Sequence, residues 1–208
     1  MLNVYDNECD PDDPRQIDDW MIRQLNACIP FNVVDRCPIN PREDIDREGR
    51  GELYRFGENL TADAFVTLED NDGQRWLLLV ERDDGRGFAL PGGFMEPNES
   101  TISTALRELN EETCLDLYDL VQHSVYNVYS SRYVPDSRNT SRAWIVTHPI
   151  GFHLGRVSEF PVVTGSDDAT RAMWVRANTF HQLEMELSVE YNNVVFFAHQ
   201  RMISDLLK

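Results

Sequence analysis

The chain has 208 residues, 41% of them hydrophobic, which is room for one ordinary domain with a buried core and an extension. Its formal charge of −17 includes a single lysine, Lys208, and argues against a nucleic-acid backbone or an anionic membrane as partner, since both favour clustered basic charge. No apolar run is long enough to span a bilayer, and the first residues have neither a signal-peptide core nor the Arg-rich pattern of a transit peptide, so a cytoplasmic chain is expected.

In chain order, Asp13 and Pro14 offer a cap and a first-turn proline for a helix over about 14–28, with Ile17, Trp20, Met21 and Leu25 as its apolar face. An irregular stretch through Pro30, Pro38 and Pro41 then wraps the main domain, so 1–52 is expected as an extension and 53–208 as the domain. Short strands are expected at 64–68, at 76–82 after the Asn71-Asp72-Gly73 turn, and at 88–90. Gly92 and Gly93 follow as a turn where backbone can approach a ligand closely. After a helix starting near Ser100 come strands at 121–129, 143–147 and 172–175, helical signals at 180–187 and a last helix over about 193–206. Mixed strands with helices on their faces give an α/β sandwich.

The helix after the glycines carries the chemistry. Ser100 or Thr101 caps it, and Ile102, Ala105, Leu106 and Leu109 recur at helical spacing as a buried stripe. On the other face Glu108 and Glu112 stand one above the other, with Glu111 able to join them. Such like charges repel; a divalent cation removes the penalty, and hard oxygen ligands suit magnesium or manganese. Arg107 lies at helical spacing to Glu111 and reaches back toward Glu99, a position for orienting carboxylates. An isolated run of this kind reads as a solvated acidic face. Here the glycines, Glu99 and the arginine share its register.

Gly93, Glu99, Arg107-Glu108-Leu109-Asn110-Glu111-Glu112 and position 114 together resemble the Nudix hydrolase box. The departure is Cys114, where the family has a glycine that ends the helix; a cysteine there costs about 1 kcal/mol or shifts the helix end. Three further segments, GRGELYRFGENLTADAFVT from Gly49, DSRNTSRAW from Asp136 and GSDDATRAMWV from Gly165, resemble the mitochondrial-type ADP-ribose pyrophosphatases and the homologous domain of the ADP-ribose-gated cation channel. In that domain the box is degraded and the ligand is sensed; the intact carboxylates here resemble the hydrolase.

The resemblance implies a Nudix α/β/α sandwich with a mixed sheet. It also implies magnesium, or manganese as a substitute, held by Glu108 and Glu112 with the Gly92 carbonyl, Glu111 as ligand or base, and Glu99 and Arg107 in support. Asp167 or Asp168 is a second candidate base, in a loop that could equally be a solvated turn. Asp136, Arg138 and Asn139 could hold a ribose hydroxyl and a phosphate, or could simply shape a polar hairpin. Tyr191 and Asn193 correspond to a ligand-facing Tyr and Asn of the channel domain, while Trp144 is expected in the core. Cys9, Cys28, Cys37 and Cys114 lack zinc-type pairing and read as free thiols in a reducing compartment, with Cys114 small and buried. The expected activity is magnesium-dependent hydrolysis of ADP-ribose to AMP and ribose 5-phosphate by a monomer or homodimer. The alternatives are a broader hydrolase of NADH, sugar nucleotides or dinucleoside polyphosphates, and a non-catalytic ADP-ribose sensor.

Overall fold

A computed structural model describes residues 9–42, 45–123 and 126–208, so the first eight residues of the expected extension lie outside the described residues. Asp13 caps a single 3-10 turn, Pro14–Gln16, by accepting from the Arg15 amide at 3.0 Å. Ile17 then takes extended backbone, and α1 covers only Trp20–Asn26. The continuous helix expected over 14–28 is therefore two pieces. Because the chain leaves helical geometry at Ile17, the register grouping the four apolar positions is lost: Ile17 and Trp20 are buried, whereas Met21 and Leu25 are exposed. Ile17 and Trp20 join Phe31, Phe56, Trp144 and Val146 in one cluster, and Trp144 is core as expected. A small hairpin follows, β1 (Asn32–Val34) with β2 (Cys37–Ile39). Polar contacts pin the segment down. Asp10 accepts from Arg23 and from the Phe56 amide, and the Glu58 carboxylate accepts the Cys28 and Ile29 amides at 2.8 and 2.7 Å.

The main sheet is built on β3 (Gly57–Glu69). Asp70 organises the turn after it by accepting the Asp72 and Gln74 amides, and Gly73 supplies a φ of 81°. Next come β4 (Arg75–Arg82), β5 (Phe88–Ala89) and β6 (Gly92–Phe94), then α2 (Thr101–Thr113) and α3 (Tyr118–His123). The rest is β7 (Tyr126–Val128), β8 (Arg132–Tyr133), β9 (Ala143–Arg156), β10 (Ala169–Arg176), α4 (Phe180–Tyr191) and α5 (Phe197–Leu206). Strand order is β10-β4-β3-β9-β7, with β5 on β4, β6 on β3 and β8 on β9. β3 and β9 are parallel and the other pairs antiparallel, which makes the sheet mixed.

Helices cover both faces. On one, Ala105, Leu106 and Leu109 of α2 pack on Ala62, Ala64, Val66, Leu78, Ile150 and Phe152. On the other, Leu183 and Leu187 of α4 and Met202 and Ile203 of α5 pack on Phe65, Leu77, Leu79 and Val175. Double coverage explains the unbroken apolar run through Leu77, Leu78, Leu79 and Val80. β3 and β9 outrun the short strands expected at 64–68 and 143–147 because they pair in parallel along nearly their whole length, and the buried Asp63 finds its partner, Thr147, across that pairing. Residues 121–129 do not form the expected single strand. The described part is the end of α3 followed by β7, and 124–125 lie outside the description. The last helix starts at Phe197 rather than near 193, because α4 ends with Asn192 in the left-handed region and Val195 bridges to Phe88.

Candidate active site

Ser100 starts α2 by accepting the Ser103 amide at 3.1 Å, and the helix ends at Cys114 with φ 57° and ψ 16°. The cysteine thus occupies the left-handed cap that favours glycine, and it is exposed rather than buried as expected, because the cap turns it off the packed face. Gly92 and Gly93 do not make the expected turn. They lie in β6, paired with Asp63 and Ala62 of β3, and what requires glycine is crowding. A Cβ on Gly93 would stand 2.5 Å from Glu108 Cδ; one on Gly92 would stand 2.5 Å from the Ala62 carbonyl oxygen. The missing side chains let the α2 carboxylates lie against the strand.

Arg107 ties this arrangement together. Its Nε and Nη2 donate to Glu99 at 2.8 and 3.0 Å, its Nη1 to Glu108 at 2.8 Å and Glu111 at 2.9 Å, and its Nη2 also to the Phe94 carbonyl at 3.0 Å. The guanidinium, with the Glu96 amide and Thr104 hydroxyl, holds the Glu99 carboxyl down at about 2. Burial pushes Glu108 up to about 7 despite Arg107. Glu112 is deeper, 6% exposed, and burial together with the facing Asp168 carboxyl pushes it up to about 10, although the Gly92 amide donates to it at 3.0 Å. Two buried carboxyls with a third beside them are strongly disfavoured as anions, which is the condition a bound cation relieves.

Two cavities meet at this wall. The outer one, about 450 Å³, is lined by Tyr54, Glu58, Phe94, Glu96, Glu108 and Asp168 among others. The inner one, about 140 Å³, reaches Asp63, Glu112, Asp136, Arg138, Asp168 and His199. Gly92, Gly93, Phe94 and Asp168 border both. The loop bearing Asp168 is anchored to the end of α2 by the Ser166 amide on the Glu112 carbonyl at 3.1 Å. Both candidate loop acids are exposed, but Asp168 lines the two cavities and Asp167, with φ 55°, lines neither. Glu111 is half exposed, is held by Arg107 and is absent from both linings.

Asp136 and Arg138 reach the inner cavity as a bidentate pair, Nε to Oδ1 and Nη2 to Oδ2 at 2.9 Å each, which keeps the buried Asp136 carboxyl below its ordinary value. Asn139 is turned to its own loop: its amide donates to the Val134 carbonyl at 2.7 Å and the Tyr133 hydroxyl at 3.1 Å, and it accepts from the Ile145 amide. Tyr191 packs edge-on to Phe88, and Asn193 donates to Glu81 at 2.9 Å; neither lines the two cavities. Sequence reasoning missed Asp63 and His199. Thr147 donates its hydroxyl to Asp63, and the Leu90 amide donates to His199 Nδ1 at 3.2 Å, which places the ring proton on Nε2, 3.7 Å from Asp63. Burial lowers the His199 pKa and keeps the ring neutral. An acid between Ala62 and Ala64 is a readable signal; a lone His in the last helix is not.

Among the described residues no three His, Cys, Asp or Glu side chains already form a metal cluster. The donor chemistry still fits a hard divalent cation, because Glu108 and Glu112 supply buried carboxylate oxygens and the strand backbone lies against them.

A helix that presses carboxylates onto a glycine strand, on a mixed α/β sandwich, defines the class of fold and site. The chain belongs to the Nudix family: the NUDIX domain model matches residues 59–194. It is 30% identical over 185 residues to a putative nudix hydrolase 6 of Caenorhabditis elegans, covering 86% of this chain and 65% of that one. It is 28% identical over 173 residues to the mitochondrial ADP-ribose pyrophosphatase of Rattus norvegicus, covering 70% of this chain and 49% of that one. The chain therefore spans less than two thirds of the length of these relatives. The NUDIX domain of Shewanella oneidensis NrtR, solved with ADP ribose, shares the fold with a TM-score of 0.51 at 22% identity, over 72% of this chain and 86% of that one.

Proposed function

We propose that this chain hydrolyses the diphosphate of ADP-ribose to AMP and ribose 5-phosphate in the presence of magnesium, with manganese as a substitute. The observation that carries the reading is the placement of Glu108, Glu112 and Asp168 at the wall shared by two cavities, with the Asp136–Arg138 pair on the inner side. The ADP-ribose-related names among its similar proteins point the same way. The four free thiols suit a reducing, cytoplasmic setting.

Glu108 and Glu112 would hold the metal, with the Gly92 carbonyl beside them. When bound, magnesium neutralises diphosphate charge and lowers the pKa of a bound water. The chain's own residues do the rest. Arg107 fixes Glu108, and Glu99 fixes Arg107. Arg138 offsets a phosphate oxygen, and Asp136 accepts from a sugar hydroxyl. Asp168 takes the proton of the attacking water at its carboxylate. The water oxygen bonds to phosphorus, the bridging P–O bond breaks, and the two monophosphates leave.

Glu112→Gln tests the reading. The fold should persist, since a glutamine can still accept from the Gly92 amide, while magnesium-dependent AMP release falls by orders of magnitude. Near-normal release would remove the assignment.

A further inference from the structure

A third cavity lies beside the site and has no role in the scheme above. It is a groove of about 650 Å³ lined by Arg42, Arg86, Tyr133, Ser137, Phe196 and Phe197 among others, and it shares Asp136 and Phe196 with the inner cavity. Phe197, at the start of α5, is 70% exposed. The Arg42 guanidinium lies 5.3 Å from the Tyr133 ring centroid, and Arg86 Nη1 donates to the Ser137 hydroxyl at 3.0 Å while its Nε stands 3.5 Å from Asp84. In a chain of net charge −17, a groove lined by an exposed aromatic ring and two arginines, sharing Asp136 and Phe196 with the inner cavity, suits a flat ligand that carries negative charge.

We propose that this groove is the purine nucleoside subsite. The adenosine of the substrate lies against Phe197, Arg42 and Arg86 supply positive charge along its phosphate side, and the diphosphate passes Asp136 toward Glu112. The inference rests on the hydrolytic reading of the neighbouring site. The inner cavity, about 140 Å³ against about 650 Å³ for the groove, is the smaller space. The outer cavity sets Tyr54 edge-on to Phe94, with Arg55 and Arg107, among the acids Glu58, Glu96, Glu108 and Asp168, and is the competing place for the base that the Tyr54 variant below separates from the groove. The groove offers what a flat base and an anion need: an accessible ring face and guanidinium groups.

The test titrates AMP and, separately, ribose 5-phosphate into the full chain by calorimetry, comparing Phe197→Ala, Arg42→Gln and Tyr54→Ala. Phe197 and Arg42 are exposed, so melting curves should confirm folded variants. The AMP dissociation constant is expected to rise roughly tenfold in Phe197→Ala and severalfold in Arg42→Gln, with ribose 5-phosphate affinity unmoved. AMP binding lost in Tyr54→Ala but unchanged in the other two overturns the proposal, as does no AMP binding by the unaltered chain. If ADP-ribose is not hydrolysed while Phe197→Ala still weakens AMP, the hydrolytic reading fails and the subsite stands.

Discussion

Replacing Gly93 by alanine should disable the site while sparing the fold. The added Cβ would lie 2.5 Å from Glu108 Cδ and 2.6 Å from its Oε2. Comfortable carbon contacts begin at about 3.5 Å, so the carboxyl group must retreat by roughly 1 Å. A displacement of about 1 Å at a reacting centre lowers turnover by about 100-fold. The obstructed group is the end of a flexible side chain, so the folding penalty sits at the low end of overpacking, about 1 kcal/mol, or about 2–4 °C in Tm for a chain of this size. Gly92→Ala is the contrast. Its Cβ would meet the Ala62 carbonyl oxygen at 2.5 Å and Asp63 Cα at 2.8 Å, backbone atoms of a strand held by β9 on its other edge, so loss of folded protein should dominate. Manganese titration, magnesium-dependent AMP release and thermal melts read out both variants. Gly93→Ala with unchanged metal affinity and turnover would refute the claim that this glycine exists to admit Glu108.

Three other outcomes follow from the same geometry. Arg107→Lys replaces a fork serving Glu99, Glu108, Glu111 and the Phe94 carbonyl with a point charge, so metal affinity or AMP release should drop by about 10–100-fold; parity with the unaltered chain would deny the arginine its orienting role. Without metal, stability should fall as pH rises from the ordinary carboxyl value of 4.5 through about 7 for Glu108 and on toward about 10 for Glu112, because the folded chain keeps protons the unfolded chain has released. Glu99, held at about 2, acts in the opposite sense: its stabilisation is present above 4.5 and is lost as pH falls toward 2. Divalent ions should release protons on binding and bind more tightly at higher pH, and metal-free melts that stay flat or rise between roughly pH 5 and 8 would contradict this. Cys114→Gly should raise Tm by about 2–4 °C, since glycine takes a φ of 57° without the side-chain penalty of about 1 kcal/mol; an unchanged or lower melting point would count against strain at the cap.

The α2 site was legible because its information is local. The spacing of Glu108, Arg107 and Glu112 along one helix decides which of them share a face, and Ser100 and the buried Ala105, Leu106 and Leu109 fall where periodicity places them. Long-range partners were not legible. Asp63 lies just ahead of the strand expected at 64–68, yet it is held by Thr147 from a strand more than eighty residues away and faces His199 from the last helix. Asp167 and Asp168 are adjacent and chemically alike; only the left-handed backbone at Asp167 and the anchoring of the loop on α2 turn the second toward Glu112. Tyr191 and Asn193 stand outside the two cavities because α4 ends over β5, a docking that no local pattern encodes.

By itself, then, the sequence determined the α2 helix, its acidic face and the family, since these follow from residue spacing on one rigid element. The tertiary structure decided which backbone the carboxylates press against, which loop acid joins them, and where two arginines and an exposed phenylalanine meet the site. Those depend on chain crossings: β6 beside β3, the Asp168 loop over α2, and the first helical residue of α5 beside the Asp136 segment.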